Sequence, residues 1–558
     1  MRQVLTGLIF GLLWVSGLSA PAVFSAEDLL DISELATPGE AYDVGERHED
    51  DNRYGEAIRV YEAALDRWMD NKKSAKEQTP AVRDLIYALR RSRVHFAIDR
   101  RYTDTSFERK LLSLRRSEAL NMLDEVLTRV QLEYFTPISA TRFISHGTES
   151  LYMALGNHRF VAEHLGSARP DDIDRVKGIL IRDYWNRPVG SRVEARTVVA
   201  DVSDLAYQQL GLHGSAVVME YIFGGCNTLD EYSHLLTPDR YSDLTGNIQG
   251  EFVGIGIEMV AQSGRGMKLV RVLMDSPAEE GGLKPGDHIV MIDGRDCRDY
   301  STDEAAQLLR GVSGSRVRLG FLDPSGRSHE NDFRRRAVHV RSITRTVMLD
   351  ERRGIGYIRQ NGFQSSTPEE LDDALTRLEQ DGMNALIWDL RGNPGGLLDT
   401  AAKVLDRFIR DGVLVTTRGR SLDQNQTFQA RTWNTRNYPL VLLVDEDSAS
   451  ASEIVAGAIA DHERGAIVGR TTYGKWSVQS IIHMARGTGL KLTTAKFYSP
   501  DNENYSGVGL EPDVSVRPHE TLYRGRRREE VSREMRSDPD VAQALRILGK
   551  RLARSSGS

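Results

Sequence analysis

The sequence predicts a multidomain α/β protein: a helical N-terminal module, a compact β-rich domain, and an α/β domain built on a largely parallel sheet. Three observations carry this expectation. The 558 residues hold about three to four domains at roughly 150 residues each. The apolar pattern changes near residue 250 from i, i+3, i+4 spacing to short β-type runs punctuated by glycine. From residue 355 onward, strand-like and helix-like segments alternate, as they do where parallel strands are joined by helical crossovers.

The first element is not expected to belong to the folded body. Arg2 precedes an apolar run over residues 4–18, followed by small residues that include Ala20-Pro21-Ala22 and Ala26. The run is shorter than the ~20 residues a spanning helix needs and ends in an A-x-A pattern, so residues 1–26 read as a secretory signal peptide. The mature chain is expected to be exported, to the periplasm. Composition narrows its class further. With 40% hydrophobic and 27% charged residues, wholesale disorder and a multi-span membrane protein are excluded. A net charge of -7 lacks the basic footprint of a nucleic-acid binder. Two cysteines, Cys226 and Cys297, make neither a disulfide framework nor a thiolate metal cluster, and no metal or other cofactor is expected.

The helical module follows. Tyr54, Ala57, Ile58, Tyr61 and Leu65 line one helix face, and residues 54–58 resemble the start of a tetratricopeptide helix, although one such unit cannot bury its own face. A long helix is expected over residues 203–224. In the β-rich domain the expected strands are 252–257, 267–272, 288–292 and 317–321, with a helix over 303–309. In the α/β domain they are 356–358, 385–388, 440–444 and 466–468, with helices over 368–379, 398–410 and 452–460. A basic segment, 524–528, and one short helix, 541–548, close the chain.

Three motifs bear on chemistry. Residues 469–475 spell seven positions of a phosphate-binding loop, but Trp476 stands where a Ser or Thr hydroxyl should meet Mg²⁺, and the alternating residues that follow predict a strand rather than a helix N-terminus. Nucleotide binding is therefore not expected. The second motif is Ser448-Ala449-Ser450-Ala451-Ser452-Glu453, between an apolar strand and a helix. Ser450 and Glu453 fit a capping box, yet a serine at that junction also holds its hydroxyl beside free backbone N–H groups, where acyl transfer needs an oxyanion site. Such a serine needs a base. Lys475, in a glycine-flanked turn one strand further on, serves if desolvation keeps its amine neutral, and Gln479 on the next strand can orient it. The third motif, Asp389-Leu390-Arg391-Gly392-Asn393-Pro394-Gly395-Gly396, follows a buried strand, where paired glycines let backbone N–H groups approach a substrate.

The serine cluster followed by Tyr473-Gly474-Lys475-Trp476-Ser477-Val478-Gln479 resembles the active-site region of the carboxyl-terminal processing proteases, tail-specific serine peptidases with a Ser-Lys dyad. The family's 25-residue spacing implies Ser450 as nucleophile and Lys475 as base, with Gln479 four residues beyond. The 389–396 segment is similar to the family's D-L-R-x-N-x-G-G, which implies an oxyanion hole of Ala451 with Gly395 or Gly396. Residues 252–257 together with 276–278 and 282–287 resemble a PDZ domain, in which Phe252, Val253, Gly254, Ile255, Gly256 and Ile257 would receive a peptide's C-terminus. The resemblance implies a core of the ClpP/crotonase-like type and this division: helical module 27–209, entry segment 210–244, PDZ domain 245–337, protease core 338–520, linker and C-terminal helix 521–558. The implied partners are protein or peptide substrates held by their C-termini, and an adaptor on the helical module. One departure matters: Trp476 stands where the family usually has glycine. If that position needs φ > 0 the turn is strained, which would favour a PDZ scaffold with an impaired site.

Overall fold

The computed structural model describes residues 35–70, 73–262, 264–300, 302–311, 313–431, 435–517 and 534–555; the signal peptide expected over 1–26 and the basic segment 524–528 lie outside them. No helix among the described residues is long and apolar enough to cross a membrane. The chain divides into two compact units: one takes residues up to 242 with 255–335 and 479–493, the other 243–254, 336–478 and 494 onward.

In the first unit, helices Pro38–Asp50, Tyr54–Trp68 and Pro80–Tyr102 close over a core of Ala57, Tyr61, Ala64, Leu65 and Leu85. This third helix supplies the partner that a lone tetratricopeptide-like pair lacks. A second, larger core unites helices Arg116–Glu133, Ala140–Ala154, Arg192–Leu210 and Gly214–Cys226. Glycines set the closest crossing, because a Cβ on Gly224 would stand 2.4 Å from the Ser150 Cβ and one on Gly147 2.5 Å from the Tyr221 ring. The long helix expected over 203–224 is two helices: Gly211 turns left-handed at φ 68° and ends the first, and the His213 side chain accepts the Ser215 N–H to start the second. Within this core the Glu220 carboxylate, fully buried, is satisfied by Arg101, Tyr102 and Ser150. Cys226 and Cys297 are both buried as free thiols.

The β-rich part of this unit is an antiparallel sheet of Ile257–Gln262, Gly266–Val272, His288–Ile292, Arg316–Leu322 and Ser328–Arg334, with helix Thr302–Leu309 packed on it around Ile255, Leu269, Ile289, Leu319 and Phe333. The run 252–257 is not one strand. Glu251–Gly254 pairs with Arg336–His339 in the second unit, and the sheet strand begins only at Ile257.

The second unit is built on a six-stranded sheet in the order Ile343–Asp350, Ile355–Gln360, Ala385–Asp389, Leu440–Val444, Ala466–Gly469, Val514–Ser515. Only the first pair is antiparallel. Ala385–Asp389 and Leu440–Val444 are buried throughout, as expected of strands covered on both faces. Helices Thr367–Gln380, Leu398–Leu405 and Ala451–Asp461 cover one face. The other is covered by the C-terminal helix, which runs Pro539–Ser555 rather than 541–548 and packs Val541, Ala544, Leu545 and Leu548 onto Tyr357, Ile387 and Val441. Far from being a tail, it is a layer of the core.

Candidate active site

The site lies where the central strands end. The segments leaving Ala385–Asp389 and Leu440–Val444 are stitched together: the Ala449 N–H donates to the Asn393 carbonyl at 3.1 Å, and the Ser448 hydroxyl donates to the Leu390 carbonyl at 2.9 Å. These bonds sort the three serines. Ser448 and Ser452 are fully buried, and the Ser452 hydroxyl is committed to the Asn393 carbonyl at 2.8 Å. Ser450, half-buried, stands at the helix N-terminus with φ 56° and ψ -112°, a conformation that costs a non-glycine residue ~1–3 kcal/mol and persists only where its surroundings hold it.

What holds it is Glu453. This carboxylate, fully buried one turn into helix Ala451–Asp461, accepts five hydrogen bonds. Oε2 takes the backbone N–H of Ser450 and of Lys475, both at 2.8 Å. Oε1 takes the Thr472 hydroxyl at 2.7 Å, the Gly474 N–H at 2.7 Å and the Trp476 indole N–H at 3.1 Å. One oxygen atom therefore lies in hydrogen-bond range of both the Ser450 and the Lys475 backbone. Burial pushes the Glu453 carboxyl above the ordinary glutamate value of 4.5, opposed by the Thr472 hydroxyl and the N–H groups of Ser450, Gly474 and Lys475. The sequence signals Glu453 only as the far half of a capping box. The cap is present, and the same group also anchors the lysine turn.

That turn is not strained at Trp476. Its left-handed position is Gly474, at φ 90°, where a Cβ would stand 2.9 Å from the Gly509 nitrogen and 3.1 Å from those of Gly507 and Val508. Trp476 has ordinary negative φ and is 1% exposed. Strand Ser477–His483 follows, so no helix N-terminus stands behind residues 469–475.

The glycine pair sits against the serine segment. A Cβ on Gly395, at φ 101°, would lie 2.9 Å from the Ser450 Cβ and 2.8 Å from the Ala451 nitrogen. The Gly395 N–H is taken by the Asn393 side chain at 2.9 Å. A parallel bridge to Phe363 uses the Gly395 carbonyl and the Leu397 N–H, so the Gly396 N–H points to the opposite side. Behind this loop Asp389 and Arg391 form a buried pair, Arg391 Nη2 standing 2.7 Å from Asp389 Oδ2, with Tyr357 donating to the same oxygen at 2.6 Å. Burial alone would raise the Asp389 carboxyl, but the Arg391 and Arg359 charges and these bonds outweigh it and hold the group at about 2. Arg391 also reaches Asp538 and Asp540 from the C-terminal segment, at 3.0 and 2.7 Å.

The remaining predicted residues fall elsewhere. Gln479 groups with the first unit, where its amide donates to the Thr493 hydroxyl at 3.4 Å. Phe252, Val253 and Gly254 lie on the strand paired with Arg336–His339, whereas Ile255 and Gly256 form the turn into the β-rich sheet. The Ile255 carbonyl accepts the Ala278 N–H, the Gly256 carbonyl accepts the Leu273 N–H, and Gly256 is left-handed at φ 84°.

A serine displayed at a strained strand-to-helix junction, with a lysine turn locked to the same carboxylate, defines a site of the serine-hydrolase kind. Comparison with known proteins agrees. The model of peptidase family S41 matches residues 354–516, and a PDZ-domain model matches residues 270–322. The carboxy-terminal-processing protease of Bartonella bacilliformis is 35% identical over 306 residues, 53% of this chain and 69% of that one. The carboxyl-terminal-processing protease of Synechocystis sp. is 35% identical over 294 residues, 52% of this chain and 68% of that one. A solved structure, that of the photosystem II D1 C-terminal processing protease, is 23% identical with a TM-score of 0.39, covering 76% of this chain and 98% of that one. The chain belongs to the carboxyl-terminal-processing proteases: it is a serine peptidase of family S41 that carries a PDZ domain and a helical N-terminal region.

Proposed function

We propose that this peptidase is exported to the periplasm, takes protein substrates by their C-terminal tails on the PDZ domain, and cleaves them near that end with a Ser450–Lys475 dyad. The Ser450 hydroxyl oxygen attacks the scissile carbonyl carbon while the neutral Lys475 amine takes its proton. Collapse of the tetrahedral intermediate breaks the C–N bond, and the proton passes to the leaving amine. Water then attacks the acyl ester, giving its proton to Lys475, which returns it to Ser450. Ala451, first residue of its helix, and Gly396 offer N–H groups to the oxyanion, since the Gly395 N–H is held by Asn393. The PDZ domain receives the substrate tail, which adds as a strand.

The observation that carries the dyad is the Glu453 bridge, which ties the Ser450 and Lys475 backbones to one oxygen while Ser448 and Ser452 spend their hydroxyls on carbonyls. The competing reading, a PDZ scaffold with an idle site, drew on strain at Trp476; with the left-handed position on Gly474, that support is gone. The test is proteolysis of an unfolded reporter ending in an apolar or a charged tail. Wild type is expected to cleave the apolar-tailed reporter faster, and Ser450→Ala and Lys475→Ala to abolish cleavage of both. Cleavage that survives either substitution would sink the dyad, and indifference to the tail would sink the tail-guided specificity.

A further inference from the structure

Trp476 directly follows the lysine, and it is one of the largest fully buried side chains of the molecule. Its ring is wedged from three sides. The Phe497 ring lies 4.7 Å away, centroid to centroid, and the Tyr505 ring 4.8 Å away, edge-on at 65°. The third wall is Gly457 of helix Ala451–Asp461, where a Cβ would stand 2.9 Å from the indole Cη2, so the helix is notched to admit the ring. The Trp476 carbonyl accepts the Asn504 side-chain amide at 3.1 Å. The indole N–H ends on Glu453 Oε1.

The five donors to Glu453 are not equivalent. Thr472, Gly474 and Lys475 belong to the lysine turn, held by backbone bonds to Leu510 and Gly507, and Ser450 belongs to the serine junction. Trp476 alone among the five is clamped by aromatic packing drawn from Phe497 and Tyr505. With three donors on Oε1 and two on Oε2, the carboxylate cannot rotate or exchange its oxygens without breaking bonds to both chain segments.

We propose that Trp476 is a positioning residue: its wedged indole N–H fixes the plane of the Glu453 carboxylate, and through Glu453 the spacing of the Ser450 and Lys475 backbones. This rests on the dyad reading above. Catalytic geometry is sensitive to small displacements, so the loss should appear in the chemical step rather than in substrate binding.

The test replaces Trp476 by benzothienylalanine, which keeps the bicyclic shape and puts sulfur in place of the N–H, and separately by Phe. The readouts are kcat and KM on the apolar-tailed reporter, the rate of acylation by a fluorophosphonate probe, and the melting temperature. Both variants are expected to lose about tenfold in kcat and in acylation rate, the size of effect one hydrogen bond to a charged group carries. KM should stay within about twofold, and the benzothienyl variant should melt like wild type. A benzothienyl variant with wild-type kcat and acylation rate would overturn the proposal and leave Trp476 a packing residue. Ser450→Ala, run alongside, separates the two ideas: labelling that survives it removes the dyad and the proposal together, whereas labelling abolished by it leaves the Trp476 result to decide.

Discussion

Gly395 and Ala451 approach each other so closely that a methyl group on the glycine would stand 2.8 Å from the alanine nitrogen. The same methyl would meet the Ala449 carbonyl oxygen at 2.6 Å, and φ is 101° besides. Gly395→Ala must therefore push the 393–396 loop away from the helix N-terminus. Loss of one oxyanion donor costs about 10²–10³ in kcat, and a loss of that order is expected, with far-ultraviolet circular dichroism unchanged. Steady-state kinetics on the apolar-tailed reporter would decide; a variant within tenfold of wild type would contradict the placement.

Glu453 should add an acid limit to activity beside protonation of the Lys475 amine. The carboxylate can accept its five donors only when ionised, and burial raises its pKa above the ordinary 4.5. Activity should accordingly fall on acidification in a window opening above 4.5. Thr472→Val removes a donor to the charged form and should move the acid limb of the kcat profile to higher pH. Glu453→Gln turns an N–H₂ toward at least two donors and should abolish acylation across the whole pH range. An acid limb left in place by Thr472→Val would mean that another group sets it.

Arg391 is the second anchor. Its guanidinium answers Asp389, Asp538 and Asp540, all buried. Arg391→Ala takes the shared cation from three buried carboxylates, although Asp540 keeps Arg470 at 2.9 Å and Asp389 keeps Arg359 at 3.7 Å; a loss of ~3–5 kcal/mol is expected, enough to unfold the unit or release its C-terminal helix. Denaturant melts and limited proteolysis around residue 534 would report it. The Asp389 carboxyl, held at about 2 against an unfolded value near 3.8, contributes stability that is full above the unfolded value and lost as pH falls through about 2. Asp389→Asn should remove that part of the acid dependence.

The helical region offers a control that leaves the chemistry alone. A side chain on Gly224 would press on Ser150 and on the His146 carbonyl. Gly224→Val should cost ~1–3 kcal/mol by overpacking and lower the melting temperature. The fluorophosphonate labelling rate of the folded fraction should match wild type.

Much of this was legible in the residues. The strand and helix alternation after residue 355 reads correctly because its strands centre on short apolar runs such as Leu440–Val444, although the helix expected over 398–410 ends at Leu405. Length and termination were harder: Gly211 and Gly214, three residues apart, are the local sign that the helix expected over 203–224 breaks, and apolar periodicity alone runs across them. The run 252–257 misleads for a different reason, since nothing local tells a strand that changes partner at Gly254 from one that continues. Glu453 shows the limit most clearly. Its S-x-x-E setting announces a helix cap, but only one of its five donors, Ser450, belongs to the cap; the other four lie 19 to 23 residues further on, and only the folded chain brings them to one carboxylate. The amphipathic face of helix Pro539–Ser555 likewise advertises that it covers something without saying what.

Arg391 and its acidic partners are 147 and 149 residues apart in the chain. Until residues 538 and 540 have been made, the arginine behind the glycine loop lacks these two buried partners, and one face of the central sheet has no cover. The hydrolytic unit therefore cannot cover both faces of its sheet until helix Pro539–Ser555 has been made, and the helical core, which takes in Met484, Leu490 and Leu492, waits on late residues as well.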